Sequence, residues 1–237
     1  MQVLADRPEL ALVLAERRIF VEEVGHGRVG HGVTLTRTVR DVLHARLPDE
    51  SCYPPPMSRV RVYLGCSLDG CIAGPGHDLS FLEEHAPDKD APEGLGFEAF
   101  LASIGALLMG RRTYQVPLDH DAWFYGERPV LVATHHALPP APKGGNARAV
   151  QGPIDALVAE ARAAAAGKDV YLDGGDLVRQ ALDAGLVDNL CLTFLPVVLG
   201  RGVRLWEGLE NRNDLEFDPP VTHGGRMVQV SARVVRR

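Results

Sequence analysis

Four short segments of this 237-residue chain combine residue types that can hold an anion or position a proton. They are Ser67-Leu68-Asp69-Gly70, Gly110-Arg111-Arg112-Thr113, Thr134-His135-His136 and Asp173-Gly174-Gly175-Asp176. In the second, a glycine, two guanidinium groups and a hydroxyl stand where a helix would begin. Free backbone N–H groups at such a helix start suit a pyrophosphate, and arginine suits a terminal phosphate through bidentate donation. A solvated arginine pair capping a strand is the competing explanation. The fourth segment offers two glycines for close backbone approach, again before a helical stretch. Two phosphate-type turns in one chain point to a dinucleotide rather than a lone phosphate. Asp69 can bind a substrate hydroxyl or amine, or close an Asx turn before Gly70.

Each segment directly follows an apolar run, and those runs define the elements that must position it. Strands are expected over 59–66, 105–109, 129–133, 169–172, 187–198 and 226–235, and helices over 96–103, 153–166 and 175–184. Pro153 suits the start of the second helix, and Gly185 the end of the third. Near-continuous apolar strands separated by helices predict an α/β fold with a mostly parallel sheet covered on both faces. The last strands lack room for a helix between them, so an antiparallel C-terminal edge is expected. In open sheets of this kind the ligand site lies beyond the carboxyl ends of the strands, where all four segments fall.

Composition narrows the function classes. The formal net charge is −6 with a pI near 5.8, which argues against nucleic acid or an anionic membrane as the main partner. No apolar run approaches a spanning helix. Cys52, Cys66, Cys71 and Cys191 form no Cys-x-x-Cys pair, so free, mostly buried thiols and a cytoplasmic location are expected. No metal is expected, and His135-His136 reads as a surface pair. Pro54-Pro55-Pro56 marks a linker, dividing an N-terminal extension over 1–56 from a domain over 57–237. The extension is either loosely attached or, since only Lys89, Lys143 and Lys168 are lysines among 25 basic residues, a product of GC-rich coding upstream of a start at Met57. Within it, Gly25-His26-Gly27-Arg28-Val29-Gly30 matches a dinucleotide fingerprint in letters only, because strand-like Val33-Thr34-Leu35-Thr36 follows instead of a helix.

The stretches 67–74 (SLDGCIAG), 109–114 (MGRRTY), Gly174-Gly175 and 186–206 (LVDNLCLTFLPVVLGRGVRLW) together resemble the dihydrofolate reductase-like family. The similarity is to the C-terminal reductase domain of the riboflavin-biosynthesis deaminase/reductase. It spans about three-quarters of the chain, from Val60 onward. It implies a three-layer α/β domain that uses NADPH to reduce a ribosylaminopyrimidine by hydride transfer. On the same fold a pterin or dihydrofolate reductase, or a non-catalytic nucleotide-binding module, stays open. The resemblance implies that Gly110, Arg111 and Thr113 hold the cofactor's phosphates; given that cofactor, the guanidinium groups of Arg111 and Arg112 would pair with the 2′-phosphate and set a preference for NADPH over NADH. It places Thr134 near the adenosine ribose, and Gly174, Gly175 and Asp176 along the pyrophosphate. Ile72 and Ala73 would offer backbone groups to the nicotinamide amide, and Asp69 would face the small-molecule substrate. It also implies a homodimer, and the apolar run 187–198 would be covered either by a partner or by burial inside the monomer. Two departures stand out: relatives often carry an acid at the position of Gly105, and many carry glutamate at that of Asp173.

Overall fold

The computed structural model describes residues 58–85, 96–224 and 226–235. The 1–56 extension, its glycine fingerprint and Met57 lie outside them. The chain opens with β1 (Val60–Ser67), then β2 (Cys71–Ala73), α1 (Ser80–Glu84), α2 (Phe97–Ser103) and β3 (Ile104–Gly110). Next come α3 (Arg111–Asp119), β4 (Pro129–Ala133), β5 (Asn146–Val150), α4 (Ile154–Ala164), β6 (Asp169–Asp173) and α5 (Gly175–Asp183). It closes with β7 (Asn189–Leu195), β8 (Val203–Arg204), β9 (Asp214–Phe217), β10 (Val221–His223) and β11 (Met227–Val235).

The main sheet runs in the order β10-β11-β7-β1-β6-β3-β4-β5, with β9 also paired to β11. From β7 to β5 every pairing is parallel, and β11 adds antiparallel to β7, β9 and β10. This is the expected mixed sheet with its antiparallel C-terminal edge. One face buries Val62, Val170, Leu172 and Leu192 under Leu157, Val158 and Ala161 of α4 and Leu177, Val178 and Ala181 of α5. The other buries Tyr63, Leu107, Met109 and Tyr171 under Phe97 and Phe100 of α2 and Tyr114 of α3. Burying each such large side chain contributes roughly 1.5–3 kcal/mol, which makes the sheet a rigid base for its strand ends.

Local chemistry sets the helix limits. Pro153 is the N-cap of α4. After α5, Gly185 adopts φ +64, its N–H bonds Leu182 O, and Leu186 N–H bonds Ala181 O, the paired closure of a Schellman motif.

Two expectations need correction. β7 is shorter than the apolar run 187–198 and lies inside the sheet between β1 and β11, so it is a central strand rather than an edge, while Val198 beyond it is 65% exposed. β5 was not expected at all. It is an edge strand of sequence NARAV with only Val150 buried, so it has neither an apolar run nor alternation to reveal it.

Candidate functional site

The two phosphate-type turns meet because their strands are neighbours: β3 and β6 run parallel to the register Met109↔Asp173. Gly110 is the N-cap of α3 and Gly174 that of α5, and neither helix start carries a side-chain cap. Both therefore present free N–H groups and the positive end of a helix dipole. Gly174 sits at φ +99, and a Cβ there would lie 2.8 Å from Thr113 Oγ1 and 3.7 Å from Gly110 N. Only glycine leaves that space open. A Cβ on Gly175 would meet Ile72 Cδ1 at 2.6 Å and Arg179 Nη1 at 3.2 Å. The fold thus brings Ile72, Gly110, Thr113, Gly174 and Gly175 together. Arg111 and Arg112 are exposed in the first turn of α3, and no ion pair engages either among the described residues.

Asp176, Thr134 and Ala73 each have partners within the chain. Asp176 folds back along α5, accepting from Gln180 Nε2 at 2.8 Å and from Arg179 Nη2 at 3.4 Å; a carboxylate is favoured in a first helical turn without any ligand. Thr134 is buried at the end of β4, one strand further from β6, and its hydroxyl accepts the His136 N–H at 3.1 Å. Ala73 pairs with Val203, and a Cβ on Gly202 would fall 2.2 Å from its carbonyl oxygen, so the β8 segment covers that part of its backbone. His135 and His136 are exposed, and no cluster of metal-ligating side chains occurs among the described residues. Cys66 and Cys71 are buried and Cys191 half-buried, all as free thiols.

Asp69 ends up as a clamp. Its Oδ1 accepts the Ser67 hydroxyl at 2.7 Å and the Leu199 N–H at 3.0 Å, and its Oδ2 accepts the Gly200 N–H at 2.9 Å. Arg204 Nη2 stands 3.7 Å from Oδ2, while Nη1 donates to the Asp69 carbonyl at 2.9 Å. The Ser67 hydroxyl oxygen accepts the Cys71 N–H at 2.9 Å, which fixes the turn into β2. Donation by Ser67, and then by the backbone of Leu199 and Gly200, holds the carboxyl at about 2. A pterin-type proton donor would need the opposite shift, whereas the donors around Asp69 favour its anion.

Asp173 shows the contrary electrostatics at the end of β6. Residues i and i+2 of a strand share a face, so Asp173 stands beside Tyr171, whose hydroxyl lies 2.9 Å from its Oδ2. The same hydroxyl lies 2.8 Å from the Tyr63 carbonyl oxygen. Burial pushes Asp173 up to about 6, only partly offset by the Tyr171 hydroxyl and the Gly174 N–H. Tyr125, itself buried, is a further neighbour, and each phenol is driven well above its ordinary value by burial first and then by the Asp173 charge. This is the environment of a carboxyl that exchanges a proton near neutral pH.

Comparison with known proteins agrees with this architecture. Residues 111–228 match the model of the RibD C-terminal domain. Over that stretch the chain is RibD-like. A Shewanella sp. PV-4 protein assigned to riboflavin biosynthesis shares 27% identity and superposes with a TM-score of 0.67, over 75% of this chain and 99% of that one. The Thermotoga maritima diaminohydroxyphosphoribosylaminopyrimidine deaminase/5-amino-6-(5-phosphoribosylamino)uracil reductase shares the fold at TM-score 0.53 and 12% identity; the match covers 76% of this chain but 57% of that longer one. Among curated proteins, the uncharacterized protein YwjB of Bacillus subtilis is 26% identical over 158 residues, 66% of this chain and 87% of its own length.

Within the RibD-like domain both departures now have positions. A Cβ at Gly105 would fall 2.0 Å from Ala165 O. An acid there would collide with the end of α4, and the β3–β6 register shifts at this residue. Asp173, by contrast, keeps a carboxyl where many relatives have glutamate. In the sequence Asp173 stands out only as a departure from relatives and as the first residue of a glycine turn, with no role of its own. The available signal was the Tyr-x-Asp spacing at a strand end, which puts a phenol and an acid on one face.

Proposed function

We propose that the RibD-like domain is an NADPH-dependent reductase that delivers a hydride to a ribosylaminopyrimidine, in the manner of a 5-amino-6-(5-phosphoribosylamino)uracil reductase. The observation that carries this reading is the meeting of two uncapped helix N-termini at Gly110–Thr113 and Gly174–Gly175. A pyrophosphate fits such a pair, because backbone N–H groups converge where glycine leaves room for it. When bound, the nicotinamide would supply the hydride chemistry. The chain's own residues do the rest. Gly110, Thr113, Gly174 and Gly175 hold the phosphates, Arg111 and Arg112 take the 2′-phosphate, Ile72 packs beside the cradle, and Asp173 faces the substrate. Asp69 contributes by fixing the 199–204 loop at the site's rim.

The experiment is steady-state NADPH oxidation with the phosphorylated ribosylaminopyrimidine and, separately, with dihydrofolate. Turnover with the first substrate alone is expected. Turnover with dihydrofolate alone would reassign the substrate, and tight NADPH binding without turnover on either would leave only a nucleotide-binding module.

Free thiols at Cys66 and Cys71 suit a cytoplasmic enzyme, and no described helix is long and apolar enough to cross a membrane. A homodimer remains part of the proposal. It draws support from Val198, 65% exposed, at the end of the apolar run, and from Phe217, 66% exposed, and Val228, 41% exposed, on the antiparallel strands β9 and β11. Sedimentation at micromolar concentration is expected to give twice the chain mass; a clean monomer would reject it.

A further inference from the structure

The β1–β6 ladder ends at Val62↔Leu172, and the next carbonyl of β1, that of Tyr63, faces a side chain instead. That side chain is Tyr171, whose single hydroxyl proton has two oxygens in reach: Tyr63 O at 2.8 Å and Asp173 Oδ2 at 2.9 Å. A phenol has one proton to donate but can accept as well. When Asp173 is ionised, the Tyr171 hydroxyl donates to it. When Asp173 is protonated, its own O–H donates to the Tyr171 oxygen, and the tyrosine proton turns to the Tyr63 carbonyl. Both arrangements leave the phenol and the carboxyl hydrogen-bonded to each other, and only the bond from Tyr171 to the Tyr63 carbonyl is made or given up.

We propose that Tyr171 is a positioning residue for Asp173, a one-proton selector whose hydroxyl alternates between the Tyr63 carbonyl and Asp173 as that acid gains and loses its proton. The groups facing Asp173 suit such a device. Tyr171 comes from β6, Tyr125 from the segment before β4, and the Gly174 N–H from the start of α5. Opposite on β3 the register partner is Met109, which does not titrate. No arginine or lysine among the described residues pairs with Asp173, so no cation locks it in the ionised state.

The functional side of this inference rests on the reductase reading. Reduction adds a hydride and a proton to the substrate. When bound, the nicotinamide would supply the hydride and its electron pair for the new C–H bond and would itself be oxidised. Asp173 gives the proton to the substrate heteroatom that gains electron density, becomes a carboxylate held by the Tyr171 O–H, and regains a proton from water. Tyr171 never loses its proton to bulk; it changes only the oxygen to which it donates.

The test uses the full chain without cofactor, carrying 13C at the Asp carboxyls and at the Tyr ring carbon bonded to oxygen. Asp173, assigned through Asp173→Asn, is expected to titrate near 6, and the Tyr171 signal to move with the same midpoint. Tyr171→Phe removes a bond that favours the anion more than the acid, so Asp173's midpoint is expected to rise by roughly one to two pH units. A Tyr171 signal that stays flat through the Asp173 titration overturns the proposal in the wild type alone, whether or not the phenylalanine variant folds. So does an Asp173 midpoint unmoved in Tyr171→Phe. The basic limb of the kcat profile is expected to shift upward with that midpoint, at unchanged KM for NADPH. If the titrations behave as expected and neither candidate substrate is reduced, the selector stands and the reductase reading fails.

Discussion

Two carboxylates at the carboxyl ends of parallel strands behave in opposite ways. Asp69 follows β1 and is held at about 2 by the Ser67 hydroxyl and the N–H groups of Leu199 and Gly200. Asp173 ends β6 and is pushed up to about 6 by burial beside phenols. The first exchanges its charge for loop geometry and stays ionised at any physiological pH. The second carries an acid in a place that disfavours its charge, a cost retained where proton exchange is useful. Position at the carboxyl edge of a parallel sheet therefore does not set an acid's ionisation; the donors and the burial around each group do.

The sharpest way to break this contrast is Asp173→Asn. If Asp173 is the proton source, turnover should fall by ~100- to 10,000-fold, the range general acids supply, with NADPH affinity within a few-fold. The same substitution should stabilise the fold at pH 7.5. Asp173 has a folded value near 6 against an ordinary 3.8, so the folded state retains a proton that the unfolded chain releases. Stability is therefore lost as pH rises from about 4 through 6, by on the order of 1–3 kcal/mol. Urea unfolding of both proteins at pH 4 and 7.5 checks this: the gap should open only at the higher pH. A variant that is inactive yet equally stable at both would separate Asp173's role from its raised value.

Arg111→Ala combined with Arg112→Ala tests whether charge at a third strand end serves the cofactor rather than the substrate. NADPH affinity should drop ~10- to 100-fold while NADH is nearly unchanged, since a charge-assisted hydrogen bond contributes roughly 1.5–3 kcal/mol. Isothermal titration with both cofactors decides it. Equal weakening would assign the arginines to the pyrophosphate or to the fold.

Asp69→Asn should act more mildly and through geometry. An amide cannot accept on both of its terminal atoms, so the Leu199 or Gly200 N–H loses its partner and the loop loosens. Turnover should fall roughly tenfold by misplacement, without loss of any limb of the pH profile. The clamp also has a pH signature. Because the folded value lies below 3.8, its stabilisation is complete above about 4 and fades as pH falls toward 2. Thermal unfolding of wild type and variant should converge at the acid end. A limb of the kcat profile that vanishes in this variant would return the proton role to Asp69.

The smallest effect is expected from starting the chain at Met57. Among the described residues both core clusters are built from residues 60–234, and the shortened protein is expected to match the full chain in melting temperature and NADPH affinity. Loss of either would give residues 1–56 a place in the domain.

Sequence patterning made most of the sheet legible. The runs at 105–109, 129–133 and 169–172 became β3, β4 and β6 within a residue or two at each end, because strands buried on both faces are apolar throughout. β5 and β8–β10 were missed, being short or lying at exposed edges where pairing rather than side-chain burial defines them. The run at 187–198 was legible as apolar but not as central, since its neighbours β1 and β11 are set by topology.

The sequence by itself determined that phosphate-type turns would stand beyond β3 and β6, because glycines and a helix start are local features readable within a few residues. Tertiary structure alone decided which acid can hold a proton. The Leu199 N–H that lowers Asp69 comes from 130 residues away. The Tyr63 carbonyl that frees Tyr171 to alternate lies 108 residues from it. Ionisation answers to the field and burial at a point in space, and only the folded chain assembles those.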